Sequence, residues 1–118
     1  MRAQLELPDR DELEWEGLSV EFDDEHEPWN GSITVEARDG SSVTLGWDQF
    51  AGYAHVSWRD GDVVRLVLER YTTVLISVRL ERGRTRFRVL SAEQDVEGEL
   101  VVEIGETVSV RDSIVQTN

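Results

Sequence analysis

The chain is 118 residues long, contains no cysteine and carries a formal net charge of −13. That length suits one domain that buries roughly two-thirds of its unfolded surface in a single core. The lack of cysteine excludes a disulfide framework, a thiolate metal site and a cysteine nucleophile; the charge disfavours nucleic acid and anionic membrane and favours basic partners.

Residues 1–10 contain Pro8 and several charges and are expected to stay loose or to run along an edge. They lack the apolar stretch of a signal peptide, and no apolar run in the chain approaches the ~18 residues of a membrane span. A cytoplasmic protein is the simplest expectation. The first strand signal is LEWEGLSVEF, Leu13 to Phe22. Its apolar positions change phase between Trp15 and Leu18. Strand side chains alternate between two faces, so an extra residue flips the rest unless the strand bulges. A bulge at Glu16-Gly17 is therefore expected, with Trp15 and Val20 both buried.

An acidic stretch follows, DDEHEPWNG, Asp23 to Gly31. Then come three hairpins, each with apolar residues in period two. The first places Ile33, Val35 and Ala37 on one face, turns at RDGS, and returns with Val43, Leu45 and Trp47. The second places Ala54, Val56 and Trp58, turns at RDGD, and returns with Val64, Leu66 and Leu68. The third runs through Val74, Ile76, Val78 and Leu80, turns at ERGR, and returns with Phe87 and Val89. Leu100, Val102 and Ile104 mark a further strand. Val108, Val110 and Ile114 share a face in a stretch whose end, residues 112–118, reads as a weakly ordered tail. Helical periodicity is lacking. Asp48 to Tyr53 and Ser91 to Gly98 are each either a loop or a helical turn, the second with Ser91 as N-cap and Gln94 three residues on, as in a capping box. The expected fold is a single all-β domain, an antiparallel, hairpin-rich sandwich or small barrel of about eight strands.

Charge is unevenly distributed. Residues 1–62 hold sixteen acids and four Arg, whereas residues 63–118 hold nine acids and eight Arg. Lys is absent, which a GC-rich coding bias or adaptation to high salt would each produce. Arg79 to Val89, RLERGRTRFRV, is the basic segment. Its guanidinium groups suit phosphate, but in so acidic a protein cross-strand pairing with neighbouring acids is the stronger expectation.

Chemical motifs are sparse. His26 and three carboxylates of Asp23 to Glu27 are cation ligands by type. Their spacing matches no calcium loop, and zinc generally requires more His or Cys than His26 and His55 supply. His55 falls on the face opposite Ala54, Val56 and Trp58, without a partner or cleft that would make it a general base. No nucleophile elbow or phosphate-binding glycine loop is present. The chain therefore reads as a non-enzyme with no cofactor and no metal.

A compact, acidic domain without catalytic motifs is suited to stoichiometric binding of a basic partner, because complementary charge speeds encounter and fixes orientation. In size, acidity and lack of catalytic motif the chain resembles bacterial immunity proteins for secreted toxins. The resemblance implies a basic toxin domain as partner. The expected contact surface is Glu12, Glu14, Glu21, Asp23, Asp24, Glu25 and Glu27, with Trp29 as an anchor. Two other readings are a structural domain that forms homo-oligomers through its edge strands and a barrel that holds a small ligand or a cation.

Overall fold

A computed structural model describes residues 20–22 and 30–116, together with Leu7, Leu13, Glu14 and Leu18. The described chain is almost entirely strand. It comprises β1 (Val20–Phe22), β2 (Asn30–Glu36), β3 (Ser41–Asp48), β4 (Tyr53–Asp60), β5 (Val63–Arg70), β6 (Thr73–Glu81), β7 (Arg84–Glu93), β8 (Val96–Ile104) and β9 (Val108–Gln116). These form two antiparallel meanders: a five-stranded sheet in the order β1-β2-β3-β4-β5 and a four-stranded sheet in the order β6-β7-β8-β9. Tyr71 and Thr72 alone connect one sheet to the other.

The sheets face each other across one apolar layer. Ile33, Val43, Leu45 and Val56 enter it from the five-stranded sheet, and Ile76, Phe87, Val89, Leu100, Val102 and Ile104 from the other. These belong to the alternating positions read from the sequence. Burying each such side chain contributes about 1.5–3 kcal/mol. The strands form two separate hydrogen-bonded sheets packed on this layer, so the fold is a sandwich rather than a closed barrel.

Backbone bonds at the ends lock the sheets together. The β2–β3 turn docks on the β8–β9 turn: the Arg38 and Asp39 N–H groups donate to the Gly105 and Glu106 carbonyls at 2.9 and 3.0 Å. Asp39 in turn accepts from the Ser41 hydroxyl at 2.6 Å and the Ser41 N–H at 2.9 Å. Those bonds, the hydroxyl's first, hold the Asp39 carboxyl below its ordinary pKa. At the opposite end the Thr73 N–H donates to the Gly52 carbonyl at 2.8 Å. Arg70 of β5 pairs with Asp112 of β9 across the sandwich.

Several details differ from the sequence reading, each for a local reason. Leu13 and Glu14 are helical, and the Leu18 N–H donates to the Leu13 carbonyl at 2.9 Å. Leu13 thus stands on a helical turn where the alternation reads as strand, and the bulge expected at Glu16-Gly17 falls outside the described residues. Leu13, Leu18 and Val20 are all buried nonetheless. Trp15, Glu16 and Gly17 lie outside the described residues. Ser91 is no N-cap: Ser91 to Glu93 complete β7, and Gln94-Asp95 form a tight hairpin turn with Gln94 at φ 48°. Asp48 to Tyr53 spans a turn, in which the Asp48 carboxylate accepts from the Ala51 N–H at 3.0 Å. Residues 112–116, read as part of a weakly ordered tail, complete β9 and pair with β8 as far as Gln116. Two bulges re-aim side chains. Trp58 opposes Leu66 but Arg59 opposes Val64, which leaves Arg65 without an opposite partner. Val64 consequently turns to the outer face and is 48% exposed. In β6 a register shift between Thr73 and Leu75 displaces Val74 and puts Thr73 in the core. Ile114 keeps its predicted phase, opposite Gly98, but lies beyond the cover of the other sheet and is 74% exposed.

These assignments are measurable by denaturant unfolding. Phe87→Ala, at a fully buried site, is expected to cost about 3–5 kcal/mol. Val64→Ser, on the outer face, is expected to stay within about 0.5 kcal/mol of the parent. A cost at Val64 comparable to that at Phe87 would return Val64 to the core and remove the β5 bulge.

Candidate functional site: an acidic outer face

Directly opposed residues of an antiparallel sheet share a face, so the register defines what the five-stranded sheet presents to solvent. One row crosses all five strands: Glu21, Ser32, Gly46, His55 and Glu69. Beside it run Asn30, Asp48 and Tyr53, then Thr34, Thr44, Ser57 and Val67, then Glu36, Ser42, Arg59 and Val64. Among the described residues of this face, Glu21, Glu36, Asp48 and Glu69 outweigh the single cation Arg59. The centre is paved with small hydroxyls, and the Thr34 and Thr44 hydroxyls bond each other at 2.9 Å. His55 lies over Gly46, where a Cβ would come within 2.1 Å of its ring. Side chains this short let a partner's backbone approach closely.

The β5 end of the row carries an aromatic cluster. Glu69 accepts from the Tyr53 hydroxyl at 3.0 Å and from the Tyr71 hydroxyl at 3.5 Å. The two tyrosine rings are 5.3 Å apart and tilted by 46°, and the Tyr53 and His55 rings are 5.9 Å apart. Tyr71 and Phe50 are largely exposed. A carboxylate held between tyrosines offers charge, hydrogen-bond acceptors and ring faces to one incoming cation. Tyrosine also supplies large contact area at low entropic cost, the property of interface anchors.

Of the residues singled out in the sequence, Glu21 lies in this row, exposed on β1. Glu14 is exposed on the helical turn. Glu12, Asp23, Asp24, Glu25, His26, Glu27 and Trp29 lie outside the described residues. Phe22 and Asn30, the described residues on either side of Asp23 to Trp29, belong to the paired strands β1 and β2. His55 takes the outward position expected of it. Among the described residues no group of three or more His, Asp and Glu is placed to hold a metal ion. Tyr53, Glu69 and Tyr71 were not singled out in the sequence, because their meeting depends on the β5 bulge and on the two-residue link between the sheets.

The tyrosine–carboxylate contact has a titration signature. Partial desolvation, then the hydrogen bond and charge of Glu69, raise the Tyr53 phenol above its ordinary value of 10.0. With its folded pKa raised, the protonated phenol stabilises the fold fully below pH about 10. That contribution is lost as pH rises through the folded value. The chain has two tyrosines, so Tyr71→Phe leaves Tyr53 as the sole source of phenolate absorbance. Its midpoint is expected above that of free tyrosine and is expected to fall when Glu69→Gln is added. A midpoint indifferent to Glu69→Gln would dissolve the cluster.

No protein-family model matches the chain, and no curated protein is similar to it in sequence. Its fold does have a counterpart among solved structures. A chain of a contact-dependent growth inhibition toxin–immunity protein complex from Klebsiella pneumoniae 342 superimposes with a TM-score of 0.75, covering 94% of this chain and 97% of that one. The two sequences are 13% identical, so the likeness is one of fold.

Proposed function

We propose that this protein is a non-enzymatic, immunity-type inhibitor that neutralises a basic toxin by binding it one to one. The observation that carries the reading is the acidic outer face: a carboxylate-rimmed sheet with small residues at its centre and an aromatic cluster at one end. The fold shared with a chain of a toxin–immunity complex supports it. So does the net charge of −13, which makes the whole molecule an attractor for a basic surface.

Binding proceeds in two physical stages. At long range the acidic field draws in the toxin and orients its basic patch, an effect that works within about 8 Å at physiological ionic strength. At contact the hydroxyl-paved face desolvates. Arg or Lys side chains of the toxin then meet Glu12, Glu14, Glu21, Asp23, Asp24, Glu25 and Glu27, with Trp29 as an anchor, while another meets Glu69 between Tyr53 and Tyr71. Covering the toxin's basic cleft denies it an anionic substrate, so inhibition needs no chemistry from the inhibitor. The reading places the protein in the cytoplasm, where a chain without cysteines loses nothing to reduction.

The test pairs the purified chain with the toxin-like product of a neighbouring gene. A tight one-to-one complex is expected, with an association rate that falls steeply as salt is added. Reversing Asp23, Asp24 and Glu25 to Lys is expected to slow association by about tenfold or more. Adding Tyr71→Ala and Glu69→Gln is expected to speed dissociation, since anchor loss acts on the off-rate. Unchanged affinity in the reversed variant would refute the surface. Absence of any complex would refute the inhibitor reading.

A further inference from the structure

The basic segment RLERGRTRFRV has no part in the acidic face. It lies on the opposite side of the sandwich, on the outer face of the four-stranded sheet. Here Ser77, Arg79 and Glu81 of β6 stand opposite Arg88, Arg86 and Arg84 of β7. Arg79 and Arg86 are direct cross-strand partners. Like charges so placed repel, and a sheet tolerates them at a cost in stability.

Neighbouring acids compensate this charge only in part. Arg88 is well satisfied, donating through Nε and Nη2 to Glu99 Oε2 at 3.0 and 2.7 Å. Arg84 and Arg86 share one carboxylate, that of Glu103, at 3.7 and 3.4 Å. Neither Arg79 nor Arg82 has a carboxylate within ion-pair distance among the described residues. Arg82 occupies the β6–β7 turn with φ 52°, which lifts its backbone out of the strand path. Arg79, Arg82, Arg84 and Arg86, with Glu81 and Glu103, line one cleft of about 400 Å³. That is the size of a small-ligand site.

We propose that this cleft is an anion site for a phosphoryl group carrying at least two charges. Its four guanidinium groups come from two strands and a turn and line one cleft. A planar carboxylate offers two oxygens in one plane, whereas a phosphoryl group offers tetrahedrally spread oxygens, each able to take a forked N–H pair. A multiply charged anion also outcompetes Glu103 for Arg86 and sits between Arg79 and Arg86, turning their repulsion into shared attraction. The net charge of the molecule opposes anions at long range. At physiological ionic strength that opposition is screened beyond about 8 Å, while direct contacts in the cleft are not. Free pyrophosphate and the diphosphate of a nucleotide present the same chemistry to these arginines.

The test is isothermal titration of the full chain with pyrophosphate and, separately, with adenosine diphosphate at physiological ionic strength. Saturable one-site binding of at least one is expected. Tighter binding of the nucleotide would identify a nucleoside diphosphate as the occupant, and equal or weaker binding would identify free pyrophosphate. Arg79→Gln is expected to weaken binding by about tenfold or more, the scale of one charge-assisted contact. Arg111→Gln, on the same sheet but outside the cleft, removes equal charge and is expected to leave binding unchanged. Melting gives an independent readout. Without anion, Arg79→Gln is expected to melt slightly higher than the parent because it relieves the Arg79–Arg86 opposition. With pyrophosphate present, the parent is expected to gain more than the variant. No binding of either anion, or equal weakening by Arg79→Gln and Arg111→Gln, would overturn the proposal.

Discussion

One apolar layer, shared by two sheets, constrains everything else in this domain. Ile33, Leu45, Ile76, Phe87 and Leu100 are withdrawn from water together, and their burial is what makes ordering nine strands favourable against the entropy of the chain. Because strand side chains alternate, filling this layer obliges the intervening residues to face outward. An acid-rich chain thereby acquires two organised charged surfaces without any element dedicated to making them. The segregation of charge along the sequence does the rest. β1 to β5 precede the basic segment and pave one side; β6 and β7 contain it and bring its arginines to the other.

Most of this architecture is legible in the sequence, because it follows from period two. Ile33, Val43, Leu45, Val56, Ile76, Phe87, Val89 and Ile104 occupy the inner positions that alternation assigns them. What alternation does not encode is where a strand slips by one residue. Nothing in VVRLVLER marks Arg65 as the bulged position, yet that bulge sends Val64 outward. The same slip places Glu69 opposite His55; without it, the two-residue turn at Gly61-Asp62 would set Leu68 there. Alternation alone turns Tyr53, His55 and Glu69 to the same outer side, but only the bulge sets Glu69 opposite His55, so the Tyr53–Glu69–Tyr71 cluster is a tertiary product. Leu13 to Val20 shows the reverse case. Burial of Leu13, Leu18 and Val20 follows their apolar character, yet Leu13 and Glu14 are helical where the alternation reads as strand.

Polar residues at inner positions show how the sandwich closes at its margins. Arg70 continues the inner row of Leu66 and Leu68, and Asp112 continues that of Val108 and Val110. Either residue alone would leave a half-buried charge. Each is tolerated because the other comes from the facing sheet, so the pair of edge strands β5 and β9 is matched by charge where apolar packing runs out. Partly exposed ion pairs of this kind add little net stability. Their effect is on alignment, since a charge at the margin penalises any shift that separates it from its partner. Alignment at this point matters for the outer face as well, because Tyr71 follows Arg70 directly and reaches Glu69 only while β5 stays in place.

The placement of two charged faces on opposite sides of a thin sandwich bears on how they would act together. Packed sheets lie about 10 Å apart, and outward side chains add further separation on each side. The distance between the acidic row and the arginine cleft therefore exceeds the screening length of about 8 Å at physiological salt. A basic protein bound to one face would neutralise some of the field that opposes an anion at the other, and by linkage the anion would favour the protein to the same degree. Screening keeps that coupling small unless the backbone transmits it. The β2–β3 turn is in direct contact with both systems. Its strands carry Ser42, Thr44 and Glu36 of the acidic face, and Arg38 in that turn approaches Gly83 and pairs with Glu106 at 3.6 Å beside the cleft. The docking of this turn on Gly105 and Glu106 through two backbone hydrogen bonds is thus a contact through which binding at one face would be felt at the other.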